Sequence, residues 1–273
     1  MLTNIVQILS VLSSGFYNLL FVVLRFTIRC MRFLFIFIVA ILSGCAPRGI
    51  IIPDGFTHKN IQAGDFELYS FMRIQNNIDP IYIYIEGDGN SFDIHGYPTG
   101  NPTPRSHMVS EWVLQSSYPN VAYLARPCQY IMSEQCSQSD WTTGRFSERV
   151  VKSTANAIQQ IAGNRPIVLI GYSGGAMLSG LVITHYSEIT VQKWITVAGV
   201  LNHGDWTSYF GDSPLTDSLD MDKLPNVPQV HFIASEDDIV PKHLSEKWTC
   251  GKQTITIPDT THGNIPNINF DIK

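Results

Sequence analysis

The sequence carries little charge and no basic surplus. Of its 273 residues, 15% are Asp, Glu, Lys or Arg, and 18 basic side chains stand against 23 acidic ones. A protein that holds a phosphate backbone needs a basic patch, so no nucleic-acid partner is expected. No internal repeat and no low-complexity tract is present. No Cys-x-x-Cys pair and no histidine cluster has the spacing of a zinc site, so no metal is expected. What is present is ordinary for a globular chain: 44% hydrophobic residues, which excludes wholesale disorder. The length suits one large α/β domain or two small ones.

The first 45 residues differ from the rest. From Ile5 to Leu24 the chain is largely apolar, interrupted by Gln7, Ser10, Ser13, Ser14 and Asn18. Arg25, Arg29 and Arg32 follow, and then a second apolar run that ends at Cys45. That run is too short to span a hydrocarbon core of roughly 30 Å as a helix. It has the length of a signal-peptide core, with a positive flank before it and small residues after it. Leu42-Ser43-Gly44-Cys45 resembles a bacterial lipobox. The resemblance implies cleavage before Cys45, a lipid on Cys45 and a membrane anchor. With Ala46 rather than Asp next, it implies the outer membrane, facing the periplasm. Read from Met31, the leader is complete, so residues 1–30 would precede the true start. The alternative is a real membrane helix over 5–24. Either way the body is exported or membrane-anchored. Residues 46–64 are expected to be a tether and 65–273 the folded domain.

Cys128, Cys136 and Cys250 lie in that body. In an oxidising compartment a disulfide is expected. Cys128 and Cys136 are close, with a polar loop between them, and are paired here. Cys250 is left over, either buried or reactive.

The body alternates short β runs with helical stretches. Strands are expected at 66–72, 80–90 (ending in a Gly-rich turn), 120–126, 166–173, 193–199, 228–235 and 253–259. A helix is expected over 147–163, with Ser147 as N-cap and Gly163 near its stop. Others follow Ser173 and Pro241. The alternation points to a mainly parallel sheet with helices on both faces. Functional residues then belong in loops beyond the carboxyl ends of the strands.

"PIVLIGYSGGAM" at 166–177 is the most informative stretch. Ser173 ends a near-continuous apolar strand and precedes a helix. Gly171, Gly174 and Gly175 suit a strained, crowded strand-to-helix turn. A serine hydroxyl becomes a nucleophile when a histidine removes its proton and an acid orients that histidine. Asp237 and His262 follow later strands, in the order Ser, Asp, His. "ASEDDIVP" resembles the α/β-hydrolase segment in which an acid stands four residues before a Val-Pro proline, and with Pro241 in that place the resemblance implies Asp237 rather than Glu236 or Asp238. His203, with Asp205 as its partner, is the rival base; otherwise it lines the pocket. The turn Glu86-Gly87-Asp88-Gly89 follows an early strand and has the place of an oxyanion loop. The Asp88 and Gly174 N–H groups are the expected donors. Two carboxylates there oppose an oxyanion, so they point away or are neutralised, with Arg126 and Arg145 as candidate partners. Segments 90–118 and 203–227 are expected to shape the pocket.

With the Ser173, Asp237 and His262 motifs and this turn, the body from about residue 65 resembles the α/β-hydrolase superfamily. "YIEGDG", "NVAYLARPCQY" and "WTTGRFS" also resemble an uncharacterised group of bacterial exported α/β-hydrolases, in which two cysteines flank an insertion beside the site. The resemblance implies a serine hydrolase acting on a small-molecule or lipid ester, or a thioester, through an acyl-enzyme and without a cofactor. An acyltransferase using the same site, or a non-catalytic envelope binding protein on the same scaffold, stays open. Oligomeric state is not readable.

Overall fold

The computed structural model describes residues 25, 27–29, 31–32 and 49–270. The chain divides into two compact units, 1–48 and 49–273. In the first, the described residues are helical. The two apolar runs, including Cys45, lie outside the described residues, apart from Arg25, Arg29, Met31 and Arg32 around their junction. Among the described residues no helix is long and apolar enough to cross a membrane.

The second unit is built on one eight-stranded sheet. In chain order its elements are β1 (Thr57–Ala63), β2 (Phe66–Ile74), β3 (Ile81–Ile85), α1 (Met108–Leu114), β4 (Asn120–Leu124), α2 (Glu148–Ala162), β5 (Ile167–Tyr172), α3 (Gly174–His185), β6 (Val191–Val197), α4 (His203–Phe210), β7 (Gln229–Ala234), α5 (Lys242–Trp248) and β8 (Gln253–Ile257). A 3-10 turn covers Gln138–Trp141. The strand order is β1-β2-β4-β3-β5-β6-β7-β8. β1 pairs antiparallel with β2, and β2 antiparallel with β4; every later pairing is parallel.

The expected tether ends too late. Thr57–Ala63 is an edge strand, bonded along its whole length to β2. Only Ile61 and Ala63 on it are buried. Its backbone ladder and its place at the sheet edge make it a strand, without an apolar pattern in the sequence to announce it.

The sheet is covered on both faces. On one, Val150, Ile158, Met177 and Leu181 of α2 and α3 pack over Ile83, Ile85, Ile167 and Leu169. On the other, Trp112 and Val113 of α1 and the C-terminal Ile265 and Phe270 cover Tyr84, Tyr123, Val168 and Val197. A strand buried from both sides reads as a continuous apolar run, and β5 does so from Ile167 to Ile170. Ser147 takes the N-cap position of α2 with extended dihedrals, but its hydroxyl makes no capping bond. Gly163 ends the helix with positive φ. Eight strands, mostly parallel and flanked by helices in this order, are the α/β-hydrolase fold.

β3 and β5 are adjacent and parallel, with β4 on the far side of β3 and β6 on the far side of β5. The chain therefore switches direction across the sheet beside β3. A crevice opens at the carboxyl ends of the strands at such a point.

Candidate active site

Four segments leave the carboxyl edge of the sheet and converge. Glu86-Gly87-Asp88-Gly89 follows β3, Ser173 follows β5, Asp237 follows β7, and His262 follows β8.

Ser173 has φ 52° and ψ −123°, a left-handed conformation rare for a residue with a Cβ. Such a turn costs on the order of 1–3 kcal/mol and persists only where its surroundings impose it. Here the Ser173 N–H donates to the Val197 carbonyl at 3.0 Å, and its own carbonyl accepts from Ala176 and Val200. The turn leaves no room for side chains beside it. A Cβ on Gly171 would stand 2.5 Å from the Ala176 Cα. One on Gly174 would overlap the Asp88 carboxylate and approach Arg126 Nη1 to 2.7 Å.

The three residues singled out in the sequence meet. His262 Nε2 lies 2.9 Å from Ser173 Oγ. His262 Nδ1 lies 2.8 Å from Asp237 Oδ2. Asp237 Oδ1 accepts backbone N–H bonds from Ile239 at 2.9 Å and Val240 at 2.7 Å, which fixes the carboxylate. An ionised carboxylate only accepts, so Nδ1 carries the proton and Nε2 is free to accept from the serine hydroxyl. Ser173 and Asp237 are buried. Tyr172, which the sequence did not mark, donates its hydroxyl to the His262 carbonyl at 2.8 Å and packs against the imidazole at 5.1 Å.

The rival histidine pair does not form. His203 Nε2 donates to the Leu219 carbonyl at 3.1 Å, and Nδ1 lies 3.6 Å from Asp220. Asp205 points elsewhere, accepting from Lys247 Nζ at 2.5 Å and Trp248 Nε1 at 2.8 Å. His203 stacks on Phe146 and lines the cavity.

The acidic turn has two carboxylates in different states. Glu86 is buried and accepts from the Gly87 N–H at 2.9 Å and the Tyr123 hydroxyl at 2.8 Å. Burial raises its pKa to about 7, against the smaller opposing pull of those bonds and of Arg126. Asp88 is held below the ordinary carboxylate range. Burial pushes it up, but Arg126 and Arg145 together outweigh that push. Arg126 bonds Asp88 Oδ1 and also donates to the Arg145 carbonyl at 2.6 Å. Arg145 Nη1 stands 3.3 Å from Asp88 Oδ2. The carboxylates are thus neutralised by the two arginines and, for Glu86, by a raised pKa. Arg126 is buried behind Asp88 rather than in the cavity wall.

Gln129 braces the turn from behind. Its Nε2 donates to the Gly87 carbonyl at 2.9 Å, and its Oε1 accepts from the Arg126 N–H. This role had no sequence signal beyond the position of Gln129 in the "ARPCQY" segment. The Asp88 N–H makes no hydrogen bond among the described residues. Gly174 opens α3, where first-turn N–H groups lack intrahelical partners.

Cys128 and Cys136 form a disulfide, and it closes the loop that carries Gln129. Cys250 is exposed, which removes the buried alternative. Among the described residues no group of three His, Cys, Asp or Glu side chains could hold a metal ion.

A cavity of about 530 Å³ opens over Ser173 and His262. Its walls are mainly apolar, with Phe92, Val109, Phe146, Trp206 and Leu215 among them. Phe92 and Val109 come from the 90–118 segment, and Trp206 and Leu215 from 203–227, as expected.

No protein-family model matches the chain, and no curated protein matches it. Solved structures do. A serine hydrolase from the polyaromatic hydrocarbon-degrading bacterium Cycloclasticus zankles is similar over 76% of this chain and 92% of its own, with a TM-score of 0.54 and 12% identity. A proline iminopeptidase-related protein from Thermus thermophilus is similar over 76% and 90%, with a TM-score of 0.53 and 13% identity. A bromoperoxidase from Bacillus anthracis is similar over 76% and 93%, with a TM-score of 0.50 and 13% identity. At these identities the likeness is one of fold.

Proposed function

We propose that the protein is a serine hydrolase that cleaves a carboxylic ester or thioester through an acyl-enzyme. The observation that carries this is the continuous hydrogen-bonded line from Ser173 through His262 to Asp237, at the floor of an apolar cavity. Ser173 Oγ attacks the acyl carbonyl carbon as His262 Nε2 takes the hydroxyl proton. Asp237 holds the tautomer and stabilises the imidazolium. The N–H groups of Asp88 and Gly174 receive the tetrahedral oxyanion. The carbon–oxygen or carbon–sulfur bond then breaks, and His262 returns the proton to the leaving atom. Water, deprotonated by His262, attacks the acyl carbon, and the proton passes back to Ser173 as the acid leaves. This chemistry requires no cofactor. A fluorophosphonate probe tests the reading: it labels Ser173 in the wild type and does not label Ser173→Ala.

The lipobox-like segment supports a further element of the same reading, that the body is tethered to a bacterial envelope by a lipid on Cys45. The Cys128–Cys136 disulfide also favours an oxidising, exported location.

A further inference from the structure

Arg145 is a buried cation whose bonding is incomplete. Its side chain is 5% exposed, and Nε is buried without a hydrogen-bond partner among the described residues. Its charged contact is a single 3.3 Å approach of Nη1 to Asp88. The rest of the guanidinium is framed by aromatic rings: Phe92 and Trp206 each at 5.5 Å and Phe146 at 6.0 Å. Arg145, Phe92, Phe146 and Trp206 all line the cavity that holds Ser173 and His262.

A guanidinium presents five donors in a rigid fork suited to a planar oxyacid. A buried guanidinium short of hydrogen bonds is costly, and it is the part of Arg145 that lines the cavity, not the occluded Nε, to which a ligand can add bonds. Arg126, by contrast, bonds Asp88 and the Arg145 carbonyl and does not line the cavity. Asp88 supplies one carboxylate for two guanidiniums, so a second carboxylate can pair with Arg145. Arg105, exposed, lines the same cavity and adds to the attraction.

We infer that the substrate carries a carboxylate which seats on Arg145, with its apolar part along Phe92, Phe146 and Trp206. This rests on the hydrolase reading for the word substrate, but the binding site itself can be tested without turnover. The probe is glutarate monobutylamide, compared with its methyl ester, by calorimetry on the full chain as wild type and as Ser173→Ala. The carboxylate is expected to bind both proteins more tightly than the ester, by roughly tenfold to a hundredfold, the range for hydrogen bonds to a charged group. Arg145→Gln is expected to abolish that difference and Arg145→Lys to restore part of it. Thermal melts check that each variant is folded. If a variant is unfolded, the salt dependence of wild-type binding takes its place, with the carboxylate preference shrinking as salt rises. Equal affinity for acid and ester in the wild type would overturn the inference, as would a preference that survives in folded Arg145→Gln. Turnover of mono-p-nitrophenyl glutarate and of 4-acetoxybenzoate, each against its methyl ester, then shows whether the acid lies on the acyl or the leaving side. Preference for either acid supports the inference, and preference for neither overturns it. Fluorophosphonate labelling of Ser173 is scored separately. A labelled enzyme without acid preference refutes this inference alone, and an unlabelled one that still binds the acid refutes the hydrolase reading alone.

Discussion

Glu86 ionises within the ordinary pH range. Its folded pKa of about 7 stands above the 4.5 of an unperturbed glutamate. The folded protein therefore binds more protons than the unfolded one between those values, and stability falls as pH rises through that window. The full difference corresponds to something on the order of 3 kcal/mol. Glu86→Gln keeps an oxygen to accept from the Gly87 N–H, puts an amide that donates to the Tyr123 hydroxyl in place of the second oxygen, and removes the ionisation. Denaturant titrations at pH 5 and pH 8 are expected to show a clear drop for the wild type and a much smaller one for Glu86→Gln. Equal drops would place the pH dependence elsewhere. At this scale the sequence was legible where chain order and strand ends constrain chemistry. Ser173, Asp237 and His262 each follow a recognisable strand, and Asp237 was separated from its acidic neighbours by the likeness of the segment ending at Pro241 to that of α/β-hydrolases. Arg126 and Arg145 were readable as partners for the acidic turn because two carboxylates in one Gly-rich loop demand cations. Tyr172 and Gln129 were not readable. Each acts through a backbone carbonyl brought close only by the fold, and neither residue type at its position signals that contact.

The element that positions the nucleophile is the β5–α3 junction. Its geometry depends on strand and helix approaching more closely than side chains permit, and Gly171 is where they meet. Gly171→Ala would put a Cβ 2.5 Å from the Ala176 Cα and 2.6 Å from its nitrogen, both backbone atoms that cannot swing away. Overpacking of this kind costs about 1 to 3 kcal/mol, which lowers Tm by roughly 2 to 12 °C in a domain of this size. Because the strain falls on the Ser173 turn, activity should drop by more than the loss of folded protein explains. A melt together with the specific activity of the folded fraction checks this; a variant with unchanged Tm and activity would show that the approach is looser. The strands and helices that carry the site were visible because each has a strong apolar signature, as in β5 and β7. β1 was hidden because Thr57–Asn60 face solvent at a sheet edge. α1 and α4 were also unmarked. They are short and lie within segments whose turn-forming residues dominate the pattern.

For the whole molecule, two apolar cores and a largely parallel sheet form a scaffold that brings four loops to one edge. The fold class was legible from the alternation of elements, whereas the substrate was not, since it depends on how distant segments such as Phe92, Arg145 and Trp206 share one wall. The lipid anchor proposed on Cys45 is a property of the full chain. Cys45→Ser is expected to move the protein from the membrane pellet to the soluble fraction of cells expressing it, and a variant that stays fully in the pellet would refute the lipid anchor. The proposed function stands on Ser173 being a nucleophile activated by His262. Incubating the full chain with a fluorophosphonate and locating the adduct by peptide mass spectrometry tests it directly. A single adduct on Ser173 is expected, formed at least a hundredfold more slowly in His262→Ala, given the 10²–10⁴-fold typical of general-base assistance. An unlabelled wild type, or a rate of Ser173 labelling that does not depend on His262, would contradict it.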